Sequence, residues 1–209
     1  MIRRIPVAHI HGGETTLGAI DNKIRDAITQ MADIHFAATS MAAGRIRKLK
    51  PNSNGVHHVG SLSVDRLSHL KLMDRLELAK NYDWSLDDKA ASITYHPETM
   101  SLTSPLEQVE ELIKVLDEYQ ELFMVITLSN ADVGGRAISR RLNEFASERK
   151  NVVVHASLGQ EAYLSCLASF DLVIGNSSSA IIEAPSFGLP TVNIGGRQTG
   201  REMAPSVIN

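Results

Sequence analysis

Short apolar runs alternate with amphipathic segments along almost the whole chain. The runs are rich in β-branched residues and are bounded by polar or glycine-containing segments, which is typical of strands. Strands this apolar, separated by helices, are typical of parallel sheets covered on both faces, so the pattern predicts an α/β fold. The predicted strands are IPVAHI, IHFAAT, VHHVGS, ASITYH, LFMVITL, NVVVHAS, DLVIGN and TVNIG.

Helices are predicted where apolar residues recur at helical spacing. One of them has a clear start, because Ser104 can cap it, Pro105 suits its first position and Glu107 completes a capping box. The predicted helices cover residues 19–32, 105–120, 135–148 and 160–170. In the first helix, the apolar face consists of Ile20, Ile24, Ala27, Ile28 and Met31.

A polar, charged segment at residues 79–89 interrupts this alternation and is the predicted linker. It divides a first piece, residues 1–78, from a second α/β unit, residues 90–209. The first piece contains too few strands for a complete domain. We therefore expect some of its sheet edges and apolar faces to lack cover.

Composition and charge exclude several classes of partner. A net charge of -3 and a pI near 6.2 argue against nucleic acid or an anionic membrane surface. No apolar run approaches the ~18 residues that suggest a transmembrane helix, and no basic-then-apolar leader opens the printed sequence, so a cytoplasmic protein is expected. The single Cys166 excludes an internal disulfide framework.

Polar residues that can bind a ligand or transfer protons follow three of the predicted strands. Ligands of open α/β sheets bind beyond such strand ends. In the stretch HIHGGETTLGAID, Glu14 follows two glycines and Asp21 opens the next helix. Two carboxylates suit acid–base chemistry, although Asp21 has the simpler explanation of a favourable interaction with the helix dipole. In TYHPET, His96 follows a strand, and a lone histidine there is more often structural than catalytic.

The third strand end, GNSSSAIIEAPSFGLP, predicts a phosphate site. Ser177, Ser178 and Ser179 offer hydroxyls and free backbone N–H groups at a helix start, and Glu183 could accept hydrogen bonds from ribose hydroxyls. The alternative is that a serine only caps the helix. Since no Gly-x-Gly-x-x-Gly or phosphate-loop lysine motif occurs, a dinucleotide or ATPase site has no support.

A metal site is the competing interpretation of the histidines. His9 and His11 lie two apart on a predicted strand, hence on one face, as metal ligands do in some hydrolases. His57, His58 and His96 could complete the set. Because no carboxylate-rich strand end supplies further ligands, we predict no metal and no cofactor.

Three motifs together resemble the hydrolysing UDP-N-acetylglucosamine 2-epimerases over nearly the whole chain. They are HIHGGETTLGAIDNKIRDAITQMADIHFAAT, ITYHPET and DLVIGNSSSAIIEAPSFGLPTVNIGGRQTGRE. The resemblance implies the two-domain glycosyltransferase-B-like fold with Rossmann-type parallel sheets. It also implies that family members have more of an N-terminal domain before residue 1 and a terminal helix after residue 209, so we expect a fragment that is catalytically inert on its own.

The resemblance further implies a reaction in which UDP leaves the sugar, a 2-acetamidoglucal forms, and water adds to give N-acetylmannosamine, the entry compound for sialic acid synthesis. Glu14 and Asp21 become the acid–base candidates. Some family members carry a catalytic glutamate at the position of His11, so either His11 substitutes for it or Glu14 takes over its role. The implied UDP-sugar contacts are His96 to the sugar–diphosphate region, Ser177 and Ser178 to phosphate, Glu183 to ribose, and Arg197 to the leaving diphosphate.

Two alternatives stay open. The same reaction could act on a diacetamido UDP-sugar, or the chain could be a non-catalytic UDP-binding fragment. The expected partners are a UDP-sugar and further copies of the chain in a homo-oligomer, with no nucleic acid and no membrane.

Overall fold

The computed structural model describes residues 5–86 and 89–209. Residues 1–4 of the predicted first piece and residues 87–88 of the predicted linker lie outside the described residues. The described chain forms two parallel sheets with helices packed against them, which confirms the predicted α/β class. Among these residues, no helix has the length and apolar character that a membrane crossing requires.

The first sheet has three parallel strands in the order β1–β2–β3. They are β1 (Ala8–Ile10), β2 (Ile34–Ala37) and β3 (Val56–His58). Helices α1 (Asp21–Met31) and α2 (Ser40–Leu49) connect them. Helix α2 packs on the sheet through a small core made of Ala37, Ala42, Ala43, Ile46 and Val56.

The apolar face of α1 does not face a core. Ile20, Ile24 and Met31 are all exposed, and Thr29 is the buried residue within the helix. The sequence pattern identified the face correctly, but within the described residues no element packs over it.

The segment between the two sheets differs from the predicted linker. It contains α3 (Leu62–Asp65), a 3-10 turn (Arg66–His69) and α4 (Arg75–Tyr82), so residues 79–82 are helical. Leu78, Trp84 and Leu86 are buried in a core that also contains residues of the second sheet and of the helix Gly159–Ser169. Trp84 and Leu86 thus anchor part of the predicted linker, residues 79–89, to the second unit. The division of the chain at this segment stays a prediction.

The second sheet has six parallel strands in the order β6–β5–β4–β7–β8–β9. Counted from β4, this is the 3-2-1-4-5-6 order of a Rossmann fold. The strands are β4 (Ala90–Thr94), β5 (Phe123–Thr127), β6 (Val152–His155), β7 (Leu172–Gly175), β8 (Thr191–Asn193) and β9 (Val207–Ile208). The helical connections are α5 (Pro105–Asp117), α6 (Gly135–Ser147), α7 (Gly159–Ser169), α8 (Ser179–Ile182) and a 3-10 turn (Ala184–Phe187).

Every residue of β4 and β5 is buried, as expected of strands covered on both faces. The predicted capping box at the start of α5 is present, with Ser104 and Glu107 each bonding to the other's backbone. These two strands and the helices over them form the largest core of the molecule. This core fixes the positions of the strand ends that follow β4 and β7.

Candidate functional site

The strand order of the second sheet reverses between β4 and β7, which is where ligands of such sheets bind. The residues that follow these strands are tied together by Asn176. Its side-chain oxygen accepts from the His96 N–H at 2.7 Å, and its side-chain nitrogen donates to the His96 carbonyl at 2.8 Å. Asn176 is fully buried. The reciprocal pair therefore holds the two strand ends at the mouth of the crevice.

His96 is kept neutral by its surroundings. Burial and the charge of Arg197 together lower its pKa to about 4, against the opposing effects of Asp132 and Asp21. Its Nδ1 accepts a hydrogen bond from the Asn130 N–H at 3.1 Å. The ring proton is thus on Nε2, from which it can be donated to an oxygen atom in the crevice.

Arg197 and the serine turn lie at the same crevice. Arg197 Nη1 donates to the Asn176 carbonyl at 3.4 Å, and Nη2 lies 3.7 Å from Asp132 Oδ2. Ser177 Oγ accepts from the Ser179 N–H at 3.4 Å at the start of α8, which is only four residues long. Glu183 follows α8 directly. The structure therefore places His96, Arg197 and the serine turn at one crevice, and their contacts with UDP stay predictions.

The turn from β1 to α1, residues 11–20, carries the other candidates. His11 is outside the strand and has a left-handed backbone, with φ of 59°. Its Nδ1 faces Glu14 Oε1 at 3.6 Å, whereas the buried His9 bonds to Thr29 Oγ1 at 3.2 Å. The prediction that His9 and His11 share a strand face is wrong, because the strand ends at residue 10 and the backbone then turns. Within the part of the chain that the structure describes, no three metal-ligating side chains converge.

Glu14 is a buried, ionised carboxylate. Its Oε2 accepts from Arg201 Nη2 at 2.9 Å, and both side chains are about nine-tenths buried. Burial alone would raise the pKa of Glu14, but the hydrogen bond from His11 and the charge of Arg201 outweigh it and lower the pKa below its ordinary value. The sequence analysis missed Arg201; the available signal was the second arginine of the motif GGRQTGRE.

The β1–α1 turn is docked on the second unit, which joins the two groups of candidates. The Leu17 N–H donates to the Thr199 carbonyl at 2.9 Å, and the Ile20 N–H donates to Thr99 Oγ1 at 2.8 Å. Asp21 begins α1 directly after this turn and is close enough to His96 to affect its pKa. The candidate acid–base groups and the crevice of the second sheet therefore share one cleft.

A cavity of about 720 Å³ opens beside Glu14. Its lining includes residues of helix α2, Ile181 and Ile182 of α8, and Arg201. Of the predicted site residues, Glu14 is the one that lines this cavity. The other predicted site residues do not line it: His11, Asp21, His96, Ser177, Ser178, Glu183 and Arg197.

A family model described as UDP-N-acetylglucosamine 2-epimerase matches residues 1–209. The chain belongs to this family. It is 33% identical over its whole length to the GDP/UDP-N,N'-diacetylbacillosamine 2-epimerase (hydrolyzing) of Campylobacter jejuni, of which it covers 55%. It is 36% identical, again over its whole length, to polysialic acid biosynthesis protein P7 of Escherichia coli, of which it covers 53%. The chain thus spans about half the length of the curated relatives it matches.

Solved structures show the same fold. The chain resembles the UDP-GlcNAc 2-epimerase of Neisseria meningitidis bound to UDP-GlcNAc with a TM-score of 0.74 at 17% identity, covering 92% of this chain and 53% of that one. The Methanocaldococcus jannaschii UDP-GlcNAc 2-epimerase in complex with UDP-GlcNAc and UDP gives a TM-score of 0.70 at 15% identity, covering 92% and 54%. These similarities confirm the expected glycosyltransferase-B type of fold.

Proposed function

We propose that the protein catalyses hydrolysing 2-epimerisation of a UDP-N-acetylhexosamine, releasing UDP and the free epimerised sugar. The observation that carries this proposal is the buried, ionised Glu14 in a turn docked beside neutral His96 and Arg197. A carboxylate held in its basic form next to a phosphate-binding crevice suits removal of a proton from a sugar whose leaving group is a diphosphate.

The proposed reaction has two stages. In the first, a base removes the C2 proton, the C1–O bond to UDP breaks, and a C1=C2 double bond forms. In the second, water adds a hydroxyl to C1 and a proton returns to C2 on the opposite face, so the product is epimeric at C2. Glu14, Asp21 and His11 are the candidates for these proton transfers; His11 is within 3.6 Å of Glu14 and can exchange a proton with it.

The nucleotide contacts are assigned to the second unit. We assign phosphate to Ser177, Ser178 and Arg197, and the ribose hydroxyls to Glu183. His96 would donate from Nε2 to the sugar–diphosphate region, because its Nδ1 is occupied by Asn130. Arginine suits the departing diphosphate, since its charge balances the charge that develops on the leaving oxygen.

The sugar has two candidates. UDP-N-acetylglucosamine is the substrate in the family's description, and a diacetamido UDP-sugar is favoured by two relatives named for N,N'-diacetylbacillosamine, at 33% and 32% identity. The proposed reaction is the same for both sugars. Homo-oligomeric assembly and a cytoplasmic location stay predictions.

The test uses a full-length version of the protein, because the 209-residue chain is expected to be inert on its own. It is incubated with each UDP-sugar, and UDP and free sugar are followed together. We expect equimolar release of UDP and the 2-epimeric sugar, with deuterium from heavy water incorporated at C2. Glu14→Gln keeps the size of the side chain and one acceptor oxygen but removes its charge and basicity. It should abolish release while retaining UDP binding.

The matched control is Glu118→Gln at the end of α5, which should turn over as the wild type does. Release of UDP without deuterium at C2 would indicate simple hydrolysis and would overturn the proposal. Tight UDP binding with no turnover of either sugar would favour the non-catalytic alternative.

A further inference from the structure

The backbone of Glu14 is held by two arginines from different helices. Arg25 Nη1 of α1 donates to the Glu14 carbonyl at 3.2 Å, and Arg45 Nη1 of α2 donates to the same oxygen at 3.1 Å. Neither residue was singled out by the sequence motifs. Because one oxygen accepts from both guanidinium groups, the turn that presents the carboxylate is fixed between α1 and α2.

Each arginine is itself held in place. Arg45 Nη2 forms an ion pair with Asp26 Oδ2 at 2.7 Å, and the same Asp26 oxygen accepts from Asn22 Nδ2 at 3.3 Å. Arg25 Nη1 also donates to Thr16 Oγ1, two residues beyond Glu14. The planar guanidinium of Arg45 therefore spans from Asp26 on α1 to the Glu14 backbone, which a shorter or single-donor side chain cannot do.

Arg45 is also exposed to the cavity beside Glu14. It lines the same 720 Å³ cavity as Glu14 and Arg201. The Glu14 side chain must keep two partners at once, Arg201 and His11, and its orientation depends on where its backbone is held. Displacement by about 1 Å of an acid–base group can reduce a rate on the order of 100-fold.

We propose that Arg45, through its ion pair with Asp26, is a positioning residue that fixes the Glu14 carboxylate for proton transfer. The expected effect on kcat rests on the proposed function. The contacts that hold the Glu14 backbone do not depend on that function. Arg45 acts through the Glu14 backbone and takes no part in proton transfer itself.

Three variants test it: Arg45→Ala, Arg45→Lys and Asp26→Asn. We expect kcat to fall on the order of 10–100-fold in Arg45→Ala, with KM within about twofold of the wild type. Arg45→Lys should be intermediate, because an ammonium group is a point donor and serves one of the two acceptors well. The control is Arg47→Ala on the same helix, since Arg47 Nη2 also donates to a backbone carbonyl, that of Val56 at 3.3 Å, but away from the turn.

A second measurement does not depend on turnover. Titration of the Glu14 carboxyl by NMR should show its pKa rising in Arg45→Ala, since a released turn loosens the contacts with His11 and Arg201 that lower it. Arg47→Ala should leave this titration unchanged. If the wild type turns over no UDP-sugar, the proposed function fails and the titration alone decides the role of Arg45.

The positioning role is overturned if Arg45→Ala retains both wild-type kcat and the wild-type Glu14 titration, or if Arg47→Ala changes them equally. If Arg45→Ala does not fold, Arg45→Lys and Asp26→Asn decide by the same two measurements. A change in KM alone would also count against the proposal, because it would place Arg45 in substrate binding.

Discussion

At the scale of single residues, His96 shows how burial sets a protonation state that sequence cannot reveal. The fold surrounds the ring with the second sheet's crevice, the Asn130 N–H and the charge of Arg197, and its pKa falls from 6.5 to about 4. Only the neutral ring can accept at Nδ1 while donating from Nε2. Acid therefore removes the form that the site uses.

His96 should make the protein less stable as the pH is lowered through a defined range. Its folded pKa lies below its unfolded value of 6.5, so the unfolded chain binds more protons between pH 6.5 and about 4, and stability decreases as the pH falls through that range. Denaturant unfolding at several pH values measures this slope. His96→Asn should reduce it, whereas His58→Asn, exposed at the end of β3, should not. An equal slope in His96→Asn would contradict this assignment.

Ser178 lies in the serine turn beside Asn176 and is the hydroxyl that we expect to contact phosphate. Ser178→Ala should weaken UDP binding by roughly 1–2 kcal/mol, the range for a hydrogen bond to a charged group. Isothermal titration calorimetry measures the difference, and Ser186→Ala in the exposed 3-10 turn after α8 is the control. Unchanged affinity with an intact fold would exclude Ser178 from the phosphate site.

At the scale of elements, glycines set how closely the β1–α1 turn approaches the second unit. A Cβ at Gly18 would lie 2.3 Å from the Gly196 carbonyl oxygen and 2.6 Å from the Arg197 Cα. Both neighbours are backbone atoms, which cannot move aside as a flexible side chain can. The close contact brings Glu14 and Asp21 to the cleft.

Gly18→Ala should therefore destabilise the protein by about 1–3 kcal/mol, as overpacking does. The opposite change is expected at Gly44, which lies in the interior of α2 with nothing within 4 Å of an added Cβ. Gly44→Ala should stabilise by about 0.4–1 kcal/mol, because the unfolded chain loses freedom. Chemical denaturation should show that the free energy of unfolding decreases in Gly18→Ala and increases in Gly44→Ala. Equal changes in the two variants would contradict the described docking of the turn.

Elements with strong local signals were predictable from sequence, and those without were not. The eight predicted strands all occur, and α5 begins at its predicted capping box. Helix α2 was missed although Thr39 caps it, because alanines at Ala42 and Ala43 give a weak apolar pattern. Helix α4 was not predicted, and its last turn, residues 79–82, was placed in the linker, because its residues are mostly polar and only Leu78 is buried within it.

At the scale of the whole molecule, the candidate site depends on contacts between residues distant in sequence. Polar groups after apolar strands are visible in one sequence, and this pattern singled out Glu14 and His96 as candidates, whereas Arg197 was implied only by the family resemblance. Their partners Asn176 and Arg201 also lie in the motifs, but the motifs do not show which residues these two contact. Asn176 meets His96 across 80 residues, and no local pattern encodes such a contact.

The exposed apolar side of α1 also matters for the behaviour of the whole molecule. Three large apolar residues, Ile20, Ile24 and Met31, lie on one face of that helix with 47%, 53% and 45% of their surface exposed. A contiguous apolar face in water is a site of association. The charge of the chain is only -3, so electrostatic repulsion between copies offers little opposition.

The 209-residue chain should therefore self-associate through α1. Sedimentation velocity across a hundredfold range of concentration should show growing oligomers, and the double variant Ile24→Glu with Met31→Glu should shift the distribution to monomer. The matched control is Leu102→Glu, which changes an isolated, fully exposed leucine after β4 and should leave association unchanged. Hydrogen exchange locates the contact independently, because amides of α1 should become more protected as concentration rises while those of α6 should not. A monomeric wild type at every concentration, or association that survives the double substitution, would show that this face is not the one that drives assembly.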